Sequence, residues 1–269
     1  MRIFLIFFMI TPILIAYIDS DMDGVVDNTD QCPNTPISEL VDIKGCSIQT
    51  LKSEHRYDVV IGRSYSEIDY NTNEKTDTHA TTLQLDYFYK NFSVQALTAY
   101  YKSESATFSS EGLTDSTLAA YYLVPISNDF SVRVGAGIIL PTYDSTLNNN
   151  NTDYLASVSA TYSNNRLNLF AGYSFTKIND DDIPDWGVNY QNTNAFNAGL
   201  GYYVTRKWYS NISYYQAEGI YTTMEDLKSV SLYNFYSLNK NWFTSLSYAR
   251  GLSDSASDHS ASLRLGYNF

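Results

Sequence analysis

The sequence predicts an all-β fold: a transmembrane antiparallel β-barrel of about twelve strands, preceded by a small calcium-binding loop module. Ten or fourteen strands are the alternatives. Three observations predict the barrel. Apolar and polar residues alternate along many segments of similar length. The connections between these segments alternate between short and long. Aromatic residues, which make up 15% of the chain and include 25 tyrosines, cluster near the segment ends.

The first 16 residues predict a secretory signal peptide. Arg2 precedes an apolar run at residues 3–16, which ends on the small residue Ala16. The alternative is an uncleaved membrane anchor. The run is shorter than the ~20 residues that a spanning helix needs, and it contains Pro12. We therefore expect the mature chain to begin near residue 17 in an oxidising compartment outside the cytoplasm.

Residues 17–54 predict the calcium-binding module. The stretch "DSDMDGVVDNTD" places oxygen donors at the positions of a calcium loop, with Gly24 at the sixth position for the sharp turn. Carboxylates this close repel one another unless a cation lies between them, so Ca²⁺ is the cofactor that the sequence predicts. An unliganded acidic linker is the alternative. The candidate ligands are Asp19, Asp21, Asp23, Val25 through its carbonyl, Asp27 and Asp30.

The stretch "DSDMDGVVDNTDQCPNTP", followed by "VDIKGC", resembles a thrombospondin type 3 repeat. Similar repeats occur in periplasmic linkers of outer-membrane proteins of the OmpA and OprF group. The resemblance implies that the aspartates bind calcium, that Cys32 pairs with Cys46 and that the module lies in the periplasm. The module carries eight acidic and two basic residues, half of the net charge of −12, and below a pore it would favour the entry of cations.

Residues 55–269 carry the barrel pattern. The end of the chain shows it most clearly, because in "HSASLRLGYNF" every second residue from Ala261 to Phe269 is apolar. Each segment is near the ~9–11 residues that a tilted strand needs to cross a bilayer. The twelve predicted strands are 56–68, 79–89, 92–102, 114–124, 130–140, 153–162, 166–176, 191–204, 208–217, 225–238, 242–250 and 259–269.

The connections predict which side of the membrane each strand end faces. Five short turns lie near residues 90, 125–129, 163–165, 205–207 and 239–241, and six longer loops, among them residues 103–113, lie between them. Bacterial outer-membrane barrels have short periplasmic turns and long outer loops. We therefore expect both ends of the barrel chain on the periplasmic side of the outer membrane.

Aromatic residues predict two girdles at the lipid–water boundaries. The periplasmic girdle contains Tyr57, Tyr89, Phe92, Tyr122, Tyr162, Trp208, Tyr236, Trp242, Tyr267 and Phe269. The outer girdle contains Tyr65, Tyr100, Tyr143, Tyr154, Phe175, Tyr214 and Tyr248. The final strand, with Tyr267 and Phe269, resembles the assembly signal of outer-membrane proteins, which implies the outer-membrane assembly machinery as a partner. A soluble β-sandwich is the structural alternative.

The polar positions of the strands predict a lumen. Five of them are the candidate functional residues: Asp58, Gln84, Asp86, Arg133 and Arg264. The two arginines either set a transverse field across an open channel or pair with the aspartates and close it. We predict a porin-like channel for small solutes. The alternative is a plugged structural barrel, or an adhesive barrel that binds through its surface loops.

Two other classes of function are not expected. The acidity of the chain argues against nucleic-acid binding. An outer-membrane hydrolase would need a nucleophile or a base in reach of its partner, yet His259 and Ser260 fall on opposite faces of one strand. An Asp258–His259 dipeptide and Asp180–Asp182 are weak candidates of the aspartyl protease type. We therefore predict no enzyme and no catalytic residue, and the sequence does not predict an oligomeric state.

Overall fold

The computed structural model describes residues 19–21, 24–33, 35, 41–46, 54–69, 75–143 and 150–269. The chain divides into two compact units, residues 1–53 and residues 54–269. The predicted signal peptide and the candidate ligand Asp23 lie outside the described residues.

The small unit is held together by one covalent bond and a few backbone contacts. Cys32 and Cys46 form a disulfide, with their Cα atoms 4.9 Å apart, so the predicted pairing is confirmed. The hydroxyl of the buried Thr35 lies 2.7 Å from the carbonyl of Cys32 and 2.8 Å from that of Gly45. The Asp42 carboxylate accepts hydrogen bonds from the backbone N–H groups of Lys44 and Cys46. The disulfide therefore joins an acidic loop to a tight turn.

The second unit is a single antiparallel sheet, with thirteen strands in the described part of the chain. The strands are β1 (His55–Ile68), β2 (Thr76–Tyr89), β3 (Phe92–Glu104), β4 (Ser109–Leu113), β5 (Ser116–Pro125), β6 (Phe130–Leu140), β7 (Asp153–Asn164), β8 (Leu167–Lys177), β9 (Thr193–Tyr203), β10 (Trp208–Ala217), β11 (Leu227–Ser237), β12 (Trp242–Gly251) and β13 (His259–Asn268). Each of the twelve predicted strands corresponds to one of them.

Pairing of the first strand with the last closes the sheet into a barrel. β1 and β13 are in register from Asp58 opposite Asn268 to Glu67 opposite His259. β4 and β5 both pair with β3, one with its outer half and the other with its inner half. They form one wall, interrupted at Thr114 and Asp115. The thirteen strands therefore occupy twelve positions around the barrel.

The prediction of a long loop at residues 103–113 is wrong, because β4 occupies about half of this segment. β3 and β4 continue as a hairpin with the connection Ser105–Phe108. Lys102 faces Glu111 across this hairpin, and opposite charges in such a pair stabilise it. The hydroxyl of Tyr101 lies 2.9 Å from that of Ser110. These contacts between residues nine positions apart extend the wall of the barrel beyond the segment that alternation indicated.

The barrel is apolar outside and polar inside. Ile61, Leu246 and Leu263 are each more than half exposed. The buried polar residues of this unit include Asp58, Ser93, Asp153, Asn168 and Ser245. A soluble sandwich would have the reverse arrangement, with large apolar side chains buried between its sheets. The exposed apolar belt and the closed sheet therefore identify the fold as a transmembrane barrel and exclude the soluble sandwich.

The aromatic girdles largely follow the prediction. Tyr57, Trp208 and Trp242 are exposed beside the short turns, and Tyr154 and Tyr248 are exposed near the long loops. Tyr143 was predicted in the outer girdle, but it contacts the inward-facing Tyr101, with ring centroids 5.7 Å apart. It lies on the loop after β6, past the end of the strand, where alternation no longer sets the direction of a side chain. In the described residues no helix is long and apolar enough to cross a membrane.

A charge in the apolar belt should destabilise the barrel. Leu246 faces Leu263 of β13 on the outer face, and both side chains are more than half exposed. We expect Leu246→Arg to lower the free energy of unfolding from lipid vesicles by about 2–4 kcal/mol, because the bilayer interior does not solvate an arginine. This change in the free energy of unfolding is measured by urea titration, with tryptophan fluorescence as the signal of unfolding. The control is Ile126→Arg in a short turn, where we expect less than about 0.5 kcal/mol. Equal losses in both variants would contradict the membrane-facing assignment.

Candidate functional site: the barrel lumen

The structure places all of the predicted lumen positions on the inward face of the strands. Cross-strand register assigns them, because they alternate with the exposed apolar residues and lie opposite one another from strand to strand. They are Asp58, Gln84, Asp86, Ser93, Gln95, Arg133, Ser157, Ser159, Asn168, Ser174, Asn197, Asn211, Ser245 and Arg264.

A hydrogen-bonded row connects three of the candidate residues across β13, β1 and β2. The guanidinium of Arg264 donates to Oε1 of Gln84 at 2.8 Å. The amide of Gln84 donates to Asp86 at 2.7 Å, and so does the amide of Gln95 on β3. The carboxylate of Asp86 is therefore held by two neutral amides rather than by a cation, and Arg264 reaches it only through Gln84.

The other charged groups are held separately. The guanidinium of Arg133 stacks on the ring of Tyr121 at 3.8 Å and donates to the hydroxyl of Ser93 at 3.4 Å. Asp58 forms an ion pair with Arg56, with Nε 3.2 Å from Oδ1. Within the described residues, neither Arg133 nor Arg264 forms an ion pair with Asp58 or Asp86. The pairing that would close the lumen is not formed there.

Two cavities adjoin one another along the lumen wall. One has a volume of about 310 Å³ and lies toward the periplasmic end, where Asp58, Asp86 and Asn268 line it. The other, of about 320 Å³, lies farther along the same strands, beside Ser64 and Ser262. Tyr233 and Arg264 line both cavities. The wall is thus concave over several strands, which leaves room for a small solute.

Inward-facing aromatic residues are part of the site that sequence reasoning did not identify. Tyr233 and Phe235 on β11 and Phe243 at the start of β12 line the first cavity. The segment around β11 has aromatic rings on both faces, so polarity did not separate its inward residues from its outward ones. Cross-strand register separates them, because Phe235 lies opposite the buried Ser245.

The outer loops meet above the lumen. A short antiparallel bridge joins Tyr190 to Tyr221, and their rings lie 5.1 Å apart. Burial and the neighbouring Tyr221 hydroxyl raise the pKa of Tyr190. A hydrogen bond with Tyr101 raises the pKa of Tyr143 to about 12, with burial as the second cause. With raised pKa values, the hydroxyls of Tyr143 and Tyr190 stay neutral at physiological pH and hold the loops by hydrogen bonds.

The residues considered for hydrolysis are not assembled into a catalytic pair. The two ring nitrogens of His259 contact the hydroxyl of Tyr248 at 2.7 Å and Arg250 at 3.0 Å. The carboxylate of Asp258 accepts a hydrogen bond from the backbone of Asp69 instead. Asp180 lies in the loop between β8 and β9 and accepts a hydrogen bond from the backbone of Asn151. None of these contacts activates a nucleophile.

The candidate calcium ligands are partly organised in the small unit. One oxygen of Asp19 accepts a hydrogen bond from Gly24 at 3.0 Å, while the other is buried and has no hydrogen-bond partner among the described residues. Asp27 accepts from Ser20, and Asp30 accepts from the backbone of Cys32. In the part of the chain that the structure describes, which excludes Asp23, no three acidic groups converge as a metal site would require.

The closed antiparallel sheet, the apolar belt and the polar lumen define an outer-membrane β-barrel. Two solved structures have similar folds. The NanC porin is 14% identical, with a TM-score of 0.50 over 79% of this chain and 98% of that one. The KdgM porin, solved with disordered oligogalacturonate, is 14% identical, with a TM-score of 0.50 over 78% and 98%.

Residues 59–269 match the family described as "Putative MetA-pathway of phenol degradation", and the chain belongs to this family. The match covers nearly the whole barrel. A separate match of 33 residues, 54% identical, relates 12% of this chain to an alpha-agarase of Alteromonas agarilytica. It spans 2% of that protein's length.

Removing the charge of Asp180 should stabilise the outer loops at neutral pH. Burial, together with the nearby Asp115 and Asp181, raises the pKa of Asp180. The folded loops therefore bind this proton more tightly than the unfolded chain, and their stability falls as pH rises from the ordinary carboxyl range through the raised pKa. We expect Asp180→Asn to slow hydrogen exchange at the Asn151 amide about twofold at pH 7.

The difference in exchange rate between Asp180→Asn and the wild type should vanish as the pH falls toward the ordinary carboxyl range, because Asp180 of the wild type is then neutral as well. Measured exchange rates, corrected for the intrinsic rate at each pH, give this profile. Asp185→Asn, in an exposed turn of the same loop, is the control and should have no such effect. Faster exchange in the Asp180 variant at pH 7 would contradict the assignment.

Proposed function

We propose that the protein is a channel for small solutes in the bacterial outer membrane. The observation that carries this proposal is the lumen itself. It is lined by polar residues together with a few aromatic rings, has adjoining cavities along its wall and contains two arginines that do not pair with the lumen aspartates within the described residues. Both similar folds belong to proteins described as porins, which supports a channel rather than a hydrolase.

A plugged or adhesive barrel is the second candidate, and the outer loops favour it. Backbone hydrogen bonds join Gln191 to Ile220 and Thr222 to Asn189, so two loops form one unit above the lumen. A rigid unit of this kind would either narrow the mouth or present a binding surface. Conductance separates the two functions, because an adhesive barrel needs no open path.

Reconstituted protein should conduct ions. We expect discrete openings in planar bilayers from full-length protein whose folding has been verified by its heat-modifiable gel mobility. The reason is the hydrated, polar lumen of a twelve-position barrel, which lies between the filled eight-stranded barrels and the open sixteen-stranded ones. Folded protein that stays silent would contradict the channel and favour the plugged or adhesive barrel.

We also propose that residues 17–54 form a periplasmic module that binds calcium. One buried oxygen of Asp19 supports this, because it has no partner within the described part of the chain and a buried carboxylate oxygen needs a cation or a donor. Gly24, at the sixth loop position, has φ +96°, which suits the sharp turn of a calcium loop. Asp19, Asp21, Asp23, Asp27, Asp30 and the carbonyl of Val25 would hold the ion.

Calorimetric titration of the full chain tests the calcium proposal. We expect Asp19→Asn to weaken calcium binding at least tenfold, because the variant loses a charged ligand of a hard cation. Asp185→Asn is the matched control and should bind like the wild type. Equal affinities in both variants, or no heat with the wild type, would contradict the site. Conductance that is unchanged after deletion of residues 17–50 would contradict a role of the module in ion selectivity.

The end of the chain supports two further parts of the proposal. The rings of Tyr267 and Phe269 lie 4.7 Å apart, and Tyr267 also contacts Trp242 at 4.8 Å. The backbone N–H of Phe269 donates to Tyr57 at the start of the barrel chain. We propose that this strand is both the closing strand and the segment that the outer-membrane assembly machinery recognises.

A further inference from the structure

The first lumen cavity has two chemically different flanks. On one side lie the rings of Phe235 and Phe243, whose centroids are 5.5 Å apart. On the other side lie the guanidinium of Arg264 and its partner Gln84. Ser245, a small residue of β12, lies between the two flanks, since it is opposite Phe235 on β11 and opposite Arg264 on β13. A ligand in this cavity would meet an apolar surface on one side and hydrogen-bond donors on the other.

Two glycines allow these side chains to lie flat along the wall. A Cβ atom on Gly266 would overlap the end of the Phe243 ring. A Cβ atom on Gly62 would lie 3.0 Å from Cγ of Arg264 and 2.5 Å from Oγ1 of Thr82. Glycine in a strand often marks such a close approach. With glycine at both positions the ring and the arginine stem rest on the backbone, and the cavity in front of them stays open.

Arg264 has hydrogen-bonding capacity left for a ligand. A guanidinium carries five N–H donors, and among the described residues this group has one contact with a side-chain acceptor, Oε1 of Gln84. Of the nearby carboxylates, Asp86 accepts from two amides and Asp58 forms an ion pair with Arg56, although Oδ1 of Asp58 has no hydrogen-bond partner among the described residues. Arginine binds carboxylates through two parallel hydrogen bonds. The charge of Arg264 is thus the one in this cavity best placed to bind an anion.

We infer that this cavity is a selecting site for small organic anions that carry a flat apolar ring, with monocyclic aromatic carboxylates as the simplest case. The carboxylate would bind Arg264, and the ring would pack against Phe235 and Phe243. A volume of about 310 Å³ is at the lower end of ligand pockets, which suits a single ring. This inference rests on the proposed channel function and specifies which solutes it selects.

Benzoate is the probe. Acetate, which has the carboxylate without the ring, and benzyl alcohol, which has the ring without the carboxylate, are the two comparison ligands. We expect benzoate to bind detergent-solubilised full-length protein at least tenfold more tightly than either comparison ligand, as measured by calorimetry. In planar bilayers it should reduce the chloride-salt current in a concentration-dependent way. Calorimetry needs no conduction, so a barrel that binds benzoate and does not conduct would overturn the channel while leaving the site intact.

Three variants test how much Arg264, Phe243 and Gly266 each contribute to benzoate binding. Arg264→Gln should weaken benzoate binding at least tenfold and leave benzyl alcohol unaffected. Phe243→Leu should weaken benzoate several-fold and leave acetate unaffected. Gly266→Ala should push the Phe243 ring into the cavity and lower both benzoate binding and conductance. Gly112→Ala is the matched control, because its Cβ would lie 3.7 Å from the nearest atom of Tyr101.

Heat-modifiable mobility verifies that each variant has folded, and a variant that fails this check is replaced by Phe243→Met or Arg264→Lys. Benzoate binding equal to that of acetate would overturn the role of the rings. Benzoate binding that is unchanged in Arg264→Gln would overturn the role of the arginine. Either result refutes the selecting site, while conductance of the wild type still decides the channel.

Discussion

The pairing of β1 with β13 is the interaction on which the rest of the barrel depends. In the hydrocarbon core no water is present to satisfy a free backbone N–H or C=O, so a sheet can span the membrane only when it has no open edge. Ten residue pairs between Asp58–Glu67 and His259–Asn268 remove that edge. The terminal Phe269 extends the closure by donating its backbone N–H to Tyr57.

Closure also decides what each side chain can do. Once the sheet is a cylinder, alternate residues must face either lipid or lumen, and the register fixes which. Many of the residues facing lipid are leucines, isoleucines and tyrosines, which suit the apolar belt. The residues facing the lumen are free to be small or charged, and they include Gly62 and Gly266 as well as Asp86, Arg133 and Arg264. A one-residue slip of β13 against β1 would move Arg264 into lipid, so the lumen chemistry depends on the same hydrogen bonds that close the barrel.

The barrel was predictable because period-two alternation depends on neighbours along the chain. The strand predicted at 166–176, for instance, is Leu167–Lys177 in the structure. β4 was not predictable in this way, since its pairing with β3 involves the cross-strand neighbours Lys102 and Glu111. The sequence predicted that the Arg264 side chain points into the lumen, but it did not predict which residue would accept its hydrogen bond. Gln84 lies 180 residues earlier in the chain, and the choice between an amide and a carboxylate depends on side-chain conformation. The inward direction of Tyr233 and Phe235 could not be predicted, because β11 carries aromatic rings on both faces.

An acidic protein and an anion-selecting lumen are compatible because charge acts over short distances in salt. The outer mouth carries Asp180 and Asp115, and the net charge of the chain is −12. Arg264 lies five residues from the outer end of β13, roughly 17 Å along the strand at ~3.4 Å per residue. This exceeds the Debye length of ~8 Å at physiological ionic strength. The outer carboxylates therefore lower the rate at which anions enter more than they weaken binding in the lumen. There the nearby aspartates are held by Arg56 and by amides, and the lower dielectric strengthens the contact of Arg264 with a ligand.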